Sequence, residues 1–235
     1  MIKSFIGTSL IDYPGVLSAV LFFGGCNFRC PFCQNVDLVL PERLKNLEDL
    51  DSREVIEMIR KRIKFIDGVT ITGGEPTIHK ELSPFLEELK ERLPTIKVKL
   101  DTNGSNPSIL FDLINDKLID YVAVDIKSSF RKYNYATGTQ DSFNSVVETI
   151  NLLLLNNIEY EFRTTVVPKI VDKEDILEIA NLLKSSKTYV LQQFRNKETL
   201  DPSFRNVEPY PSAYISEIAE SLKSSYNFNV ITRFY

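Results

Sequence analysis

The chain has 235 residues, a formal net charge of −4 and a hydrophobic share of 43%. That length suits one α/β domain with a substantial core, and without a basic excess nucleic acid is not expected as the main partner. No stretch reaches the apolar length of a membrane span, the Met1-Ile2-Lys3-Ser4 start lacks a signal-peptide core, and three clustered cysteines do not read as a disulfide framework. A cytoplasmic protein with no membrane partner is the expectation.

Taken in order, residues 2–15 contain Thr8-Ser9-Leu10-Ile11-Asp12-Tyr13-Pro14-Gly15, where Pro14-Gly15 marks a turn. Residues 16–23 are an apolar run ending at Gly24-Gly25, expected as the first buried strand, and the cysteine loop follows directly. Asp51-x-x-Glu54 has the form of a capping box, and Val55, Ile56, Ile59 and Ile63 make a helical stripe. Arg60-Lys61-Arg62-x-Lys64 reads as a solvated helix face, with a docking patch for an acidic electron donor as the alternative.

The pattern then repeats. Residues 69–72 predict a strand ending in Gly73-Gly74-Glu75-Pro76, followed by a helix over 80–92. Residues 96–100 predict a strand ending in Asp101-Thr102-Asn103-Gly104, with a helix from 107. Residues 121–124 lead into Asp125-Ile126-Lys127 and a helix over 141–155. Residues 160–167 end at Pro168, and Asp172 opens a helix carrying Ile176, Ile179 and Leu183. Residues 189–191 lead into Gln192-Gln193-Phe194, a last helix covers 212–225, and 228–232 form a terminal strand.

Alternating strands and helices without a break in composition predict a single domain over 1–235 built of parallel βα units. A closed eightfold barrel takes about 250 residues, so six units here imply a partial (βα)6 TIM-type barrel, its parallel sheet open on one side. Residues 194–211, with Pro202, Pro209 and Pro211, have no clear periodicity and are expected to rim the active face. The unusual residues fall at strand C-terminal ends, where parallel α/β folds build their sites.

Cys26, Cys30 and Cys33 are the only cysteines, at C-x3-C-x2-C spacing. A tetrahedral zinc site wants four ligands, so zinc would have to recruit a carboxylate or His79. A [4Fe–4S] cube takes one ligand per iron, so three thiolates leave one iron open for chemistry. Buried packing cysteines are the third reading. His79 itself reads as an exposed or capping residue. Gly73-Gly74 can be an ordinary turn or a close backbone approach to a ligand. Asp101-Thr102 can be turn chemistry, Asp125 and Lys127 a strand-end salt bridge, Arg163 a packing arginine and Gln193 a loop cap.

The cysteine spacing with Phe32 before the last thiol resembles the signature of the radical S-adenosylmethionine superfamily. That resemblance implies Cys26, Cys30 and Cys33 as cluster ligands, with S-adenosylmethionine on the open iron. It implies that Phe32, Gly73, Gly74 and Glu75 line the cofactor, the Gly-Gly-Glu segment receiving its methionyl amino group. Asp101, Thr102, Asp125 and the carbonyl of Ile126 resemble the monovalent-cation ligands of pyruvate formate-lyase activating enzyme, and Arg163 and Gln193 are expected on the same face. Residues 8–15, 71–76, 99–104 and 162–165 together resemble anaerobic ribonucleoside-triphosphate reductase activating proteins, with Gln34 where many relatives carry histidine. The implied activity is hydrogen abstraction from a backbone glycine of a partner glycyl radical enzyme, with a low-potential donor such as flavodoxin or ferredoxin. The alternatives are a small-molecule radical enzyme resembling 7-carboxy-7-deazaguanine synthase, a radical enzyme acting on another peptide, and a non-catalytic metal-binding module.

Overall fold

A computed structural model describes residues 1–234. The chain packs as two compact units interleaved along the sequence. Residues 1–27, 37–102 and 108–122 form the first, and residues 28–36, 103–107 and 123 onward the second. Eight strands follow one another in chain order, leaving the first and last as edges. They are β1 (Ile2–Ser9), β2 (Ser18–Phe23), β3 (Gly68–Gly73), β4 (Lys97–Thr102), β5 (Tyr121–Asp125), β6 (Glu159–Val166), β7 (Thr188–Gln193) and β8 (Asn229–Arg233). This is the α/β architecture with parallel strands that the sequence predicts.

In the first unit β2, β3 and β4 pair in parallel, aligning Leu21 with Ile71 and Ile71 with Leu100. These strands are apolar on both faces because helices cover them. Helix α1 (Ser52–Arg60) inserts Val55, Ile56 and Ile59, and α2 (Leu82–Arg92) inserts Leu82, Phe85, Leu86 and Leu89. Asp51 caps α1 by accepting the amides of Arg53 and Glu54. The expected stripe stops short of Ile63. The helix ends at Arg60 and the basic run winds into a turn, leaving Ile63 38% exposed.

Strand β1, absent from the sequence reading, pairs antiparallel with β2 (Ile2 with Phe23, Ile6 with Val20). Its register shifts between Ile2 and Ser4 and again between Ile6 and Ser9, which breaks the alternation that would have announced it. The expected turn follows at Ser9 to Gly15, where the Ser9 hydroxyl accepts the Ile11 and Asp12 amides.

In the second unit β6, β7 and β8 pair in parallel, aligning Arg163 with Val190 and Val190 with Ile231. Helices α4 (Ser142–Leu154), α5 (Lys173–Leu182) and α6 (Ser212–Ser225) bury Val146, Ile150, Ile176, Ile179, Ile215 and Leu222, while α3 (Pro107–Asn115) lies mostly in the first unit. A complete capping box opens α5: Asp172 and Asp175 each accept the other's backbone amide, at 3.1 and 2.9 Å.

Candidate active site

The first unit holds Cys26 and a crossing of two loops. After β2, Gly25 turns at φ +87°, and its carbonyl accepts the Glu75 amide at 2.8 Å. The Gly74 amide donates to the Phe23 carbonyl at 2.8 Å. A Cβ on Gly73, at φ +122°, would lie 2.3 Å from the Phe23 carbonyl oxygen. A Cβ on Gly74 would lie 1.9 Å from the Gly25 carbonyl oxygen and 3.4 Å from Cβ of Cys26. The two glycines thus let the loop after β3 lie directly on the chain entering the cysteine loop.

Glu75 is 0% exposed, and its Oε1 accepts the Thr77 amide at 3.1 Å, the Thr77 hydroxyl at 2.5 Å and the Thr102 hydroxyl at 2.8 Å. Thr102 is therefore gathered with Glu75. On β4, Lys99 and Asp101 share one strand face and form an ion pair; Lys99 is only 1% exposed. His79 is neither exposed nor offered as a ligand. Its Nε2 lies 2.7 Å from the Gly24 carbonyl oxygen and its ring stands edge-on to Phe23, so it braces the glycine turn.

The second unit holds Cys30, Cys33 and a line of charges. Arg163 donates from Nε to Asp125 at 2.7 Å, and Lys127 donates to the same carboxylate at 3.1 Å. Burial opposes the Asp125 charge, but the two cations outweigh it and hold the carboxyl well below the usual carboxylate range. Burial likewise opposes the Lys127 ammonium, yet Asp125, Cys30 and Cys33 keep it protonated to above its ordinary range. The strand-end salt bridge is real, and Lys127 faces two of the three thiols. Behind Arg163, Glu161 (1% exposed) lies 3.9 Å from its guanidinium and takes both arms of Arg233, at 3.1 and 2.8 Å. Ile126 donates its amide to the Arg163 carbonyl at 2.8 Å, and its own carbonyl accepts the Thr164 hydroxyl at 3.0 Å.

Phe32 and Cys30 are buried, while Cys33 is half-buried with its thiol pushed up by burial, an effect that the Asn35 amide and Lys127 offset in part. Gln193 does cap a loop, donating to the Tyr210 carbonyl at 3.0 Å. Within residues 194–209, Leu200 and Asp201 bond to the cysteine loop through their amides, to the carbonyls of Cys33 and Pro31.

The sequence does not mark Lys99, Glu161 or Arg233 as candidate residues. Lys99 stands two residues before Asp101, a spacing that places both on one strand face, whereas the Glu161–Arg233 pair joins β6 to β8 and leaves no local signal.

An iron–sulfur cluster fits what is present. The three cysteines form no disulfide, and the Lys127 ammonium offsets part of the burial that pushes the Cys33 thiol up. Among the described residues no three His, Cys, Asp or Glu side chains gather around one metal ion. A cluster asks for something else, one thiolate on each of three irons. The basic turn at 61–65 lies where Asp67 and Gly68 bond back to Leu17, at the N-terminal end of β3, opposite the Gly73-Gly74 end.

Comparison with known proteins agrees with this arrangement. Residues 20–183 match the family model of the radical SAM superfamily. A protein of Methanocaldococcus jannaschii, itself only provisionally assigned as a glycyl-radical enzyme activating enzyme, is 35% identical over 238 residues, covering 99% of this chain and 95% of that one. The pyruvate formate-lyase-activating enzyme of Clostridium pasteurianum is 30% identical over 195 residues (78% of this chain, 76% of that one). A 7-carboxy-7-deazaguanine synthase of Methanothermobacter thermautotrophicus is 28% identical over 155 residues (62% and 60%). Among solved structures, Streptococcus suis SuiB bound to S-adenosylmethionine superposes with a TM-score of 0.67 at 17% identity, covering 92% of this chain and 52% of SuiB. This chain thus spans about half of SuiB, and that likeness concerns the fold.

Proposed function

This chain belongs to the radical SAM superfamily, and we propose that within it the protein activates a glycyl radical enzyme, specifically an anaerobic ribonucleoside-triphosphate reductase. It is a radical SAM enzyme, and its cofactors are a [4Fe–4S] cluster and S-adenosylmethionine. The observation that carries the activating role is the end-to-end relation to the Methanocaldococcus protein, at 35% identity over 99% of this chain. The Clostridium activating enzyme supports it independently.

When bound, the cofactors supply a 5′-deoxyadenosyl radical, which takes one hydrogen atom from a glycine Cα of the partner and leaves a glycyl radical and 5′-deoxyadenosine. In this reading Cys26, Cys30 and Cys33 hold the cluster and Phe32 walls it. Gly73, Gly74 and Glu75 receive the methionyl amino group. The Glu75 carboxylate is fixed for that role by Thr77 and Thr102. Arg163 and Lys127 would present positive charge to the methionyl carboxylate, and Gln193, which ties its loop to Tyr210, would lie near the adenosine. A monovalent cation on Asp101, Thr102, Asp125 and the Ile126 carbonyl would share those carboxylates with Lys99, Lys127 and Arg163. A flavodoxin or ferredoxin supplies the electron.

The test is anaerobic reconstitution with iron and sulfide, reduction, addition of S-adenosylmethionine and of candidate glycyl radical proteins, and electron paramagnetic resonance for a protein radical. A radical that disappears when the partner's glycine is replaced by alanine supports the reading. Turnover to 5′-deoxyadenosine with a deazapurine precursor, and no protein radical with any partner, would instead favour the small-molecule reading that the deazaguanine synthase likeness keeps in view.

A further inference from the structure

Residues 28–36 of the second unit carry two cysteines, and apart from their last residue they form no helix or strand. Their backbone polar groups must then find partners elsewhere. The Cys33 amide closes a turn onto the Cys30 carbonyl at 3.0 Å, and the Arg29 amide donates to the Thr137 carbonyl at 2.6 Å. Two further carbonyls of the turn accept from one distant segment. Leu200 donates its amide to Cys33 at 3.0 Å and Asp201 donates its amide to Pro31 at 2.9 Å. The Gln34 side chain extends the contact by donating to the Arg195 carbonyl at 2.8 Å, which gives a use to the residue that stands where histidine was expected.

The donating segment is itself built to hold shape. Gln193 ties its two ends by donating to the Tyr210 carbonyl at 3.0 Å. Phe194 and Phe204, both buried, meet edge-on with ring centroids 6.5 Å apart. Thr199, 1% exposed, donates its hydroxyl to the Asp201 carbonyl at 2.8 Å, and Asp201 caps the short turn Pro202–Asn206 by accepting the Ser203 amide at 2.9 Å. A loop closed at its neck and packed on its own side chains is a compact Ω-type loop, not a slack connection.

We propose that residues 194–209 are a clasp for the ligand loop. It keeps Cys30 and Cys33 in ligating arrangement before the cluster is inserted and restricts oxidants reaching them afterwards. Three of its contacts are to residues 31–34, and its two backbone bonds fall on carbonyls at or beside the ligands. The clasp is independent of which partner the enzyme serves. It rests on the cluster assignment alone.

The test uses cluster-free full-length protein under nitrogen. Alkylation of each cysteine by iodoacetamide is followed by mass spectrometry in the wild type, in Asp201→Pro, which removes the amide given to Pro31, and in Gln34→Ala. Cys30 and Cys33 should alkylate about fivefold faster in Asp201→Pro, with Cys26 nearly unchanged as the internal control. Gln34→Ala should shift them the same way by less. In reconstituted protein, the visible cluster absorbance should bleach in air faster by a similar factor. Equal acceleration at all three cysteines would mean general loosening and would overturn the proposal, as would no acceleration at Cys30 and Cys33. Should Asp201→Pro fail to fold, hydrogen exchange on the cluster-free wild type decides. Protected Leu200 and Asp201 amides support the clasp, and amides exchanging as in a free peptide overturn it.

Discussion

The two units hold their candidate residues by opposite means. The first does so by leaving atoms out: Gly73 and Gly74 bring two backbones together where even a methyl group would overlap a carbonyl oxygen, and Gly25 supplies the φ +87° turn beneath them. The second does so by setting charges against one another, from Lys127 and Asp125 through Arg163 to Glu161 and Arg233. A steric seat fails abruptly, because backbone cannot yield. An electrostatic seat fails by degrees and responds to pH. Each half should therefore announce its mechanism through the manner of its failure.

The largest effect belongs to the steric half. Gly74→Ala should cost on the order of 3 kcal/mol and lower the iron content of reconstituted protein, because its Cβ meets the Gly25 carbonyl oxygen at 1.9 Å, beside Cys26. A normal melting temperature with full iron would break the comparison at its root. Next comes Glu75→Ala, which strips the Thr77 and Thr102 hydroxyls of a buried acceptor and should cost about 1–3 kcal/mol. Glu75→Gln keeps an acceptor oxygen and should cost less. Denaturant midpoints for the two variants rank them directly.

In the charged half the effect should be graded and confined to acid. The folded pKa of Asp125 lies below its unfolded value, so its stabilisation is complete above the unfolded pKa and fades as pH falls toward the folded one. Asp172 behaves alike. Burial opposes its charge, Lys132 and the Asp175 amide overcome that, and its pKa falls from 3.8 to about 2. Melting temperature should therefore decline progressively as pH drops through this window, and Arg163→Met should flatten part of the decline. An unchanged acid profile in Arg163→Met would show that the charge line does not set the response. The smallest effect is expected at the basic turn. Lys61→Glu with Lys64→Glu should leave reduction by flavodoxin at low salt unchanged, because the six residues of β3, about 17 Å of strand, separate this end from the Gly73-Gly74 end. A slower reduction would restore the docking patch there.

The strands and the residues at their ends were legible because buried parallel strands read as apolar runs and because Gly-Gly-Glu and Asp-Thr-Asn-Gly interrupt them sharply. Strand β1 was not, since its two register shifts erase the alternation. Ile63 was misplaced because periodicity does not mark where a helix unwinds into a turn. His79 reads as exposed or capping; it does cap the short turn Pro76–Ile78, but its ring's partner is a backbone carbonyl that no side-chain pattern encodes. The hold of residues 194–207 on the cysteine loop was hidden for the same reason. Two of its three bonds join backbone to backbone, and composition is silent about those.

The line of charges in the second unit also has a parity. It alternates cation and anion and begins and ends with a cation, so removing any one cation leaves equal numbers of each sign, whereas removing either carboxylate leaves cations facing one another. Substitutions at Arg233 should therefore be survivable where those at Glu161 are not, and related sequences drifting under selection should shed this series from its outer end inward. Their surviving length would record how close each has come to the thiols that Lys127 faces.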